Sequence, residues 1–222
     1  MMGKRRMVIG GYDTAADGLW TLAACKITKA NQVQTIVEVP GRFAPIDLST
    51  YLTDGQPYYG NAAIEATLES SEGDRAARQA RIDSMVRTLD GRKLEIVPPD
   101  AIGDYLVGRV QVTKHYNDPA HCAVQVSAVC EPWLYAADET AINLTATADE
   151  RAYTLTIQGG KPVVPTVTVT GEIVLEYGDN TWALSTGAYN LPGLYLTPGE
   201  HQLLYSGDGS ADLIYREAVL AV

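Results

Sequence analysis

The sequence predicts a mainly β protein in two unlike parts, an α+β domain with one main helix over residues 1–136 and an antiparallel β-sandwich over residues 137–222. Three observations predict it. Asp74 to Leu89 is the one stretch with convincing helical periodicity. Around it, short runs alternate apolar and polar residues, the period of half-buried strands. From about Ala136 onward nothing looks helical, and such runs are broken by Gly, Pro, Asn and Asp at nearly regular spacing. The change of texture falls at Cys130-Glu131-Pro132-Trp133-Leu134-Tyr135.

In chain order, Leu19 to Ile27 and Val33 to Val39 read as strands turned at Lys29-Ala30-Asn31, because Gln32, Gln34 and Glu38 alternate with Val33, Thr35, Val37 and Val39. Pro40-Gly41 ends the second strand. Leu52 to Asn61 reads as a loop, since Asp54-Gly55 and Pro57 favour tight turns. Ala62 to Leu68 alternates again. The helix that follows is capped by Ser71 or Asp74, and Ile82, Met85, Val86 and Leu89 fall on one face. Gly91 stops it. Arg75, Arg78, Arg81 and Arg87 occupy its other faces and read as a solvated surface. Leu94 to Val97, Tyr105 to Lys114 and Cys122 to Val129 complete this strand set.

In the second half, Thr154 to Ile157, Thr166 to Thr170, Ile173 to Tyr177, Thr181 to Leu184, Leu194 to Leu196, Gln202 to Tyr205 and Leu213 to Glu217 read as short strands. Gly159-Gly160, Gly178-Asp179-Asn180, Thr197-Pro198-Gly199 and Gly207-Asp208-Gly209 read as the turns between them. Pro198-Gly199 suits a type II turn, Pro fixing φ and Gly supplying the positive φ that follows.

Composition narrows the function classes. The 222 residues carry a formal net charge of −10, which repels a phosphate backbone, so nucleic acid is not expected as a partner. Lys4-Arg5-Arg6 is the basic exception and reads as a solvated end. Thirteen Tyr against one Phe suit half-buried sheet faces and contact surfaces where one end of the ring stays wet. Cys25, Cys122 and Cys130 read as buried thiols made in a reducing compartment, because Cys122 and Cys130 lie eight residues apart on one strand and cannot meet. Met7 to Ile9 is too short for a signal-peptide core, and no apolar run is long enough for a membrane span, so no membrane insertion is expected. Without a secretory route the Asn143-Leu144-Thr145 sequon reads as chance.

No catalytic constellation emerges. His115 and His121 flank a turn, yet only Asp118 accompanies them, which falls short of a metal set. Asp208-Gly209-Ser210-Ala211-Asp212 imitates the opening of a calcium loop, but Leu213 and Val219 stand where that loop needs Gly and Glu. Glu172 and Glu176 share one side of a strand and read as solvated charges rather than an acid–base pair. With no Gly-rich phosphate loop and no G-x-S-x-G elbow, the expectation is a protein that is not an enzyme and takes no cofactor.

The order of landmarks carries a resemblance. Leu52-Thr53-Asp54-Gly55-Gln56-Pro57-Tyr58-Tyr59-Gly60-Asn61, a helix ending at Leu89-Asp90-Gly91, Tyr105-Leu106-Val107-Gly108-Arg109-Val110 and Cys130 to Tyr135 together resemble the N-terminal domain of distal tail proteins of long-tailed bacteriophages. Leu194 to Leu203, Tyr205 to Gly209 and Leu213 to Glu217 resemble the galectin-like C-terminal domain of the same proteins. The resemblance implies a virion tail subunit made in the bacterial host cytoplasm. It implies a homohexameric ring of N-terminal domains, joining the tail tube to tail-tip or baseplate proteins and to a receptor-binding protein. Galectin-like does not imply sugar binding, because Gly178-Asp179-Asn180-Thr181-Trp182 supplies an Asn and a Trp without the His-Asn-Arg set, and Trp182 reads as core. The alternatives are a carbohydrate-binding β-sandwich module and another tail or baseplate component.

Overall fold

The computed structural model describes residues 6–17, 19–51, 55–99 and 101–221. Lys4, Arg5 and the loop residues Leu52, Thr53 and Asp54 lie outside them. The chain is mainly β with one helix, and it divides into two compact units, Met1–Leu134 with Leu220–Val222, and Tyr135–Val219.

The first unit contains β1 (Val8–Ile9), β2 (Tyr12–Asp13), β3 (Thr21–Thr28), β4 (Ile36–Val37), β5 (Ile46–Asp47), β6 (Ala62–Ser70), α1 (Arg75–Leu89), β7 (Lys93–Val97), β8 (Tyr105–Asn117) and β9 (Cys122–Tyr135). Its main sheet runs in the order β2-β1-β7-β8-β9-β6-β3. Alternation sets the buried face: Ala62, Ile64, Ala66 and Leu68 of β6 and Cys122, Val124, Val126, Ala128 and Cys130 of β9 point into one core. Ile82, Met85 and Leu89 of α1 enter the same core, each contributing roughly 1.5–3 kcal/mol of burial. Asp74 caps α1 by accepting from the Ala77 amide at 2.7 Å. At the other end Asp90 accepts from the Val112 amide and Gly91 donates to the Val110 carbonyl, both at 2.8 Å, which fastens the helix to β8.

Two expectations for this unit are corrected. The first is the hairpin of Leu19–Ile27 with Val33–Val39. Instead β3 pairs with β6, Ile27 opposite Ile64, and of the second run only Ile36 and Val37 are strand, paired with β5 in a separate two-stranded ribbon. Pairing with β6 lets β3 seat Leu22 in the core, whereas Val33, Ile36, Val37 and Val39 meet no core and stay exposed. The second is part of the solvated arginine face: Arg75 and Arg87 are exposed, but Arg78 and Arg81 are engaged by the fold. Arg78 is only 1 % exposed. Its guanidinium donates to the carbonyls of Gly73, Asp118 and Pro119, tying the start of α1 to the β8–β9 turn. Arg81 donates to Ser70 Oγ and to the Glu72 carbonyl. Helical spacing alone could not reveal this, because the acceptors lie on the segment before the helix and on a turn forty residues on.

The second unit contains β10 (Thr140–Thr145), β11 (Arg151–Ile157), β12 (Thr166–Tyr177), β13 (Asn180–Leu184), β14 (Gly187–Asn190) and β15 (Gly199–Tyr215), and β16 (Ala218–Leu220) follows. Two long strands build both layers. The first half of β12 pairs with β14 and the last part of β15, which also pairs with β10; the second half of β12 pairs with β13 and with the first part of β15, which also pairs with β11. Val167, Val169, Leu213 and Ala211 of one layer and Ile173, Leu175, Leu203 and Tyr205 of the other share one core, as the layers of a sandwich do.

Gly207-Asp208-Gly209 is therefore no turn, and Thr166–Thr170 with Ile173–Tyr177 form one strand. These glycines lie where the paired strands bend from one layer into the other. A Cβ at Gly209 would strike the Thr170 carbonyl, one at Gly207 the Glu172 carbonyl, and one at Gly171 the Asp208 carbonyl. Gly171 also takes a φ of +88°. Leu194–Leu196 forms no named strand; both leucines are buried, and Leu196 makes a single bridge to Val163. Gly199 has the positive φ expected after Pro198, but it opens β15.

Candidate interaction surface

The described residues between Asn31 and Gly60 form an arm. Its base is closed by the Gly60 amide donating to the Asn31 carbonyl and Val33 donating to Tyr58, both at 2.9 Å, with Tyr59 set edge-on to Trp133 of β9 at 5.7 Å. Farther out, Leu48 donates to the Thr35 carbonyl, Thr35 donates to Ser49 Oγ, and β4 pairs with β5. A strand pair this short has no core of its own, yet the arm exposes Val33, Ile36, Val37, Val39, Phe43, Leu48, Tyr51 and Tyr58. Soluble monomers rarely present so many large apolar side chains on one contiguous element. At the tip, Pro40-Gly41-Arg42-Phe43-Ala44-Pro45 holds the only Phe of the chain fully in solvent, at 111 % exposure.

Two grooves lie elsewhere, one in each unit. One, of about 350 Å³, is lined by Leu19, Thr21, Glu69, Ser70, Ser71, Glu72 and His121. Leu19 has a φ of +54°, the only positive φ of a non-glycine among the described residues, and its side chain stays half exposed. The other, of about 420 Å³, lies at the bend of the second unit between Glu172, Asp208 and Ser185.

The Tyr116 ring lies 5.3 Å from the His115 ring and 5.2 Å from the His121 ring. Asp118 shapes the turn: its carboxylate accepts from the His121 and Ala120 amides, and these bonds, the His121 one first, hold its pKa below the ordinary value. Among the described residues no group of three His, Cys, Asp or Glu could hold a metal ion. Asp208 and Asp212 lie within β15, with Asp212 accepting from Asn143 Nδ2 at 2.7 Å. Glu172 is exposed and Glu176 half-buried on β12. Trp182 packs half-buried against the second core. Cys122 and Cys130 are buried thiols, and burial pushes Cys130 up to about 11. Among the described residues no helix is long and apolar enough to cross a membrane. Sequence reasoning missed Arg42 and Phe43; the available signal was a lone Phe in a Pro- and Gly-rich turn, where no core could receive it.

The fold defined by these elements is a one-helix, β-rich unit followed by an antiparallel sandwich, and a solved structure shares it. The chain is similar to the crystal structure of SPP1 Dit (gp 19.1), described as a paradigm of the hub adsorption apparatus in phages that infect Gram-positive hosts, with a TM-score of 0.71 and 14% identity over 97% of this chain and 99% of that one. No family model matches the sequence, and no curated protein matches it.

Proposed function

We propose that this chain is a structural virion protein of a phage tail tip, a distal tail protein that forms a homohexameric ring joining the tail tube to baseplate or receptor-binding components. The observation that carries the reading is the likeness to SPP1 Dit across nearly the whole of both chains. Two features support it. The arm supplies an uncovered apolar surface, as a subunit with an obligate contact requires. A ring also needs two different patches on each subunit, and the arm and the Leu19 groove are different patches.

On this reading the part up to about residue 136 builds the ring and the sandwich faces outward as an adaptor with no catalytic task. The carbohydrate-binding alternative rests on the sandwich half and its exposed aromatics; Tyr195 is exposed, whereas Trp182 packs half-buried against the core. Light scattering and negative-stain imaging of the purified protein test the proposal. A ring of six subunits is expected, alone or on addition of tail-tube and hub partners; a monomer that stays monomeric with those partners contradicts it.

A further inference from the structure

We propose that Arg42 and Phe43, at the tip of the arm, seat in the Leu19 groove of a second copy of this chain. The inference rests on the ring reading and adds the contact that closes the ring. Phe43 is fully exposed, so its own chain offers it no seat. A phenyl ring buries roughly 150–250 Å² when it docks, and aromatic anchors of this kind concentrate binding energy. Pro40 and Pro45 fix φ on either side, which lowers the entropy lost when the tip is held.

The groove offers the tip one apolar wall and a charge opposite to that of Arg42. Leu19 provides an apolar wall, and its left-handed backbone costs about 1–2 kcal/mol merely to hold a leucine half in solvent. Glu69 and Glu72 line the same groove and are exposed, opposite in charge to the Arg42 guanidinium. The floor is set before docking, since Arg81 already holds Ser70 Oγ and the Glu72 carbonyl. Tip and groove are separate surfaces, so the contact runs head to tail and can close into a ring.

The test follows assembly of the full-length chain by native mass spectrometry. Phe43→Ala, Arg42→Glu and the pair Glu69→Lys with Glu72→Lys are each expected to weaken assembly by about tenfold or more, the scale of an interface anchor. Combining Arg42→Glu with the two groove lysines is expected to restore most of the loss. All four positions are exposed, so folding survives; circular dichroism checks this. As an independent readout, Phe43→Cys with Thr21→Cys in a Cys25→Ser background is expected to give oxidised ladders linking copies.

If the unaltered chain forms rings but the charge reversals leave assembly unchanged, or the ladder is absent, the seat is wrong and the ring reading stands. A ladder that appears only between this chain and a tail-tube or hub protein also overturns the second-copy occupant. If the unaltered chain never assembles, with or without partners, both readings fall.

Discussion

The arm and the second-unit sandwich are built from the same pattern and end in opposite states. Val33, Val37 and Val39 fall at the alternate spacing of a strand much as Val167 and Val169 do, yet the sandwich residues are sealed in one core and the arm residues, Ile36 among them, stand in water. Alternation states which face of a strand is apolar. It does not state what covers that face. In the sandwich the cover is a second layer of the same unit, supplied by the bend of β12 and β15. In the arm no described residue supplies one, and this difference is what the hub proposal addresses.

The strongest way to break the comparison is to remove the arm. Joining Gln32 to Tyr59 through a short Gly-Ser link is expected to abolish assembly while leaving the thermal midpoint of the remaining fold within a few degrees, because the arm carries no shared core. A large drop in that midpoint would make the arm structural rather than an interface. Next in size, Arg78→Leu leaves three carbonyls near the start of α1 without their donor, and should cost roughly 3 kcal/mol in denaturant unfolding. Little change there would mean that the arginine is a surface charge after all. Gly209→Val, which drives side-chain atoms into the Thr170 carbonyl, should cost about 1–3 kcal/mol and disturb the sandwich alone.

The smallest effect is a pH dependence. Cys130 is buried, and its thiol is raised from an ordinary value of 9.0 to about 11. The folded state therefore keeps a proton that the unfolded state loses, so stability is intact below about pH 9 and falls as pH rises through about 11. Cys130→Ala should flatten that fall in urea titrations between pH 8 and 11. An equal fall in the variant would assign the effect to other groups.

Much of the fold was legible, for physical reasons that particular residues illustrate. The helix was readable because Asp74, Ile82, Met85, Leu89 and Gly91 act within their own turns. The main-sheet strands were readable because Ile64, Ala66 and Leu68 repeat with the period of the strand. Gly207 and Gly209 misled because glycine serves both a turn and a close strand crossing, and only the partner strand decides between them. Arg78 misled because its acceptors on the β8–β9 turn are remote in sequence. The candidate surface is least legible: Tyr enrichment points to contact surfaces, but the pattern of Val33 to Val39 is that of any half-buried strand, and a lone Phe43 in a turn carries no periodic signal.

Ring formation by the intact chain is the most direct test of the account. Native mass spectrometry of the purified protein, alone and mixed with tail-tube and hub partners, should show a species of six times the 23.9 kDa chain. A single-chain mass under every one of these conditions would contradict it.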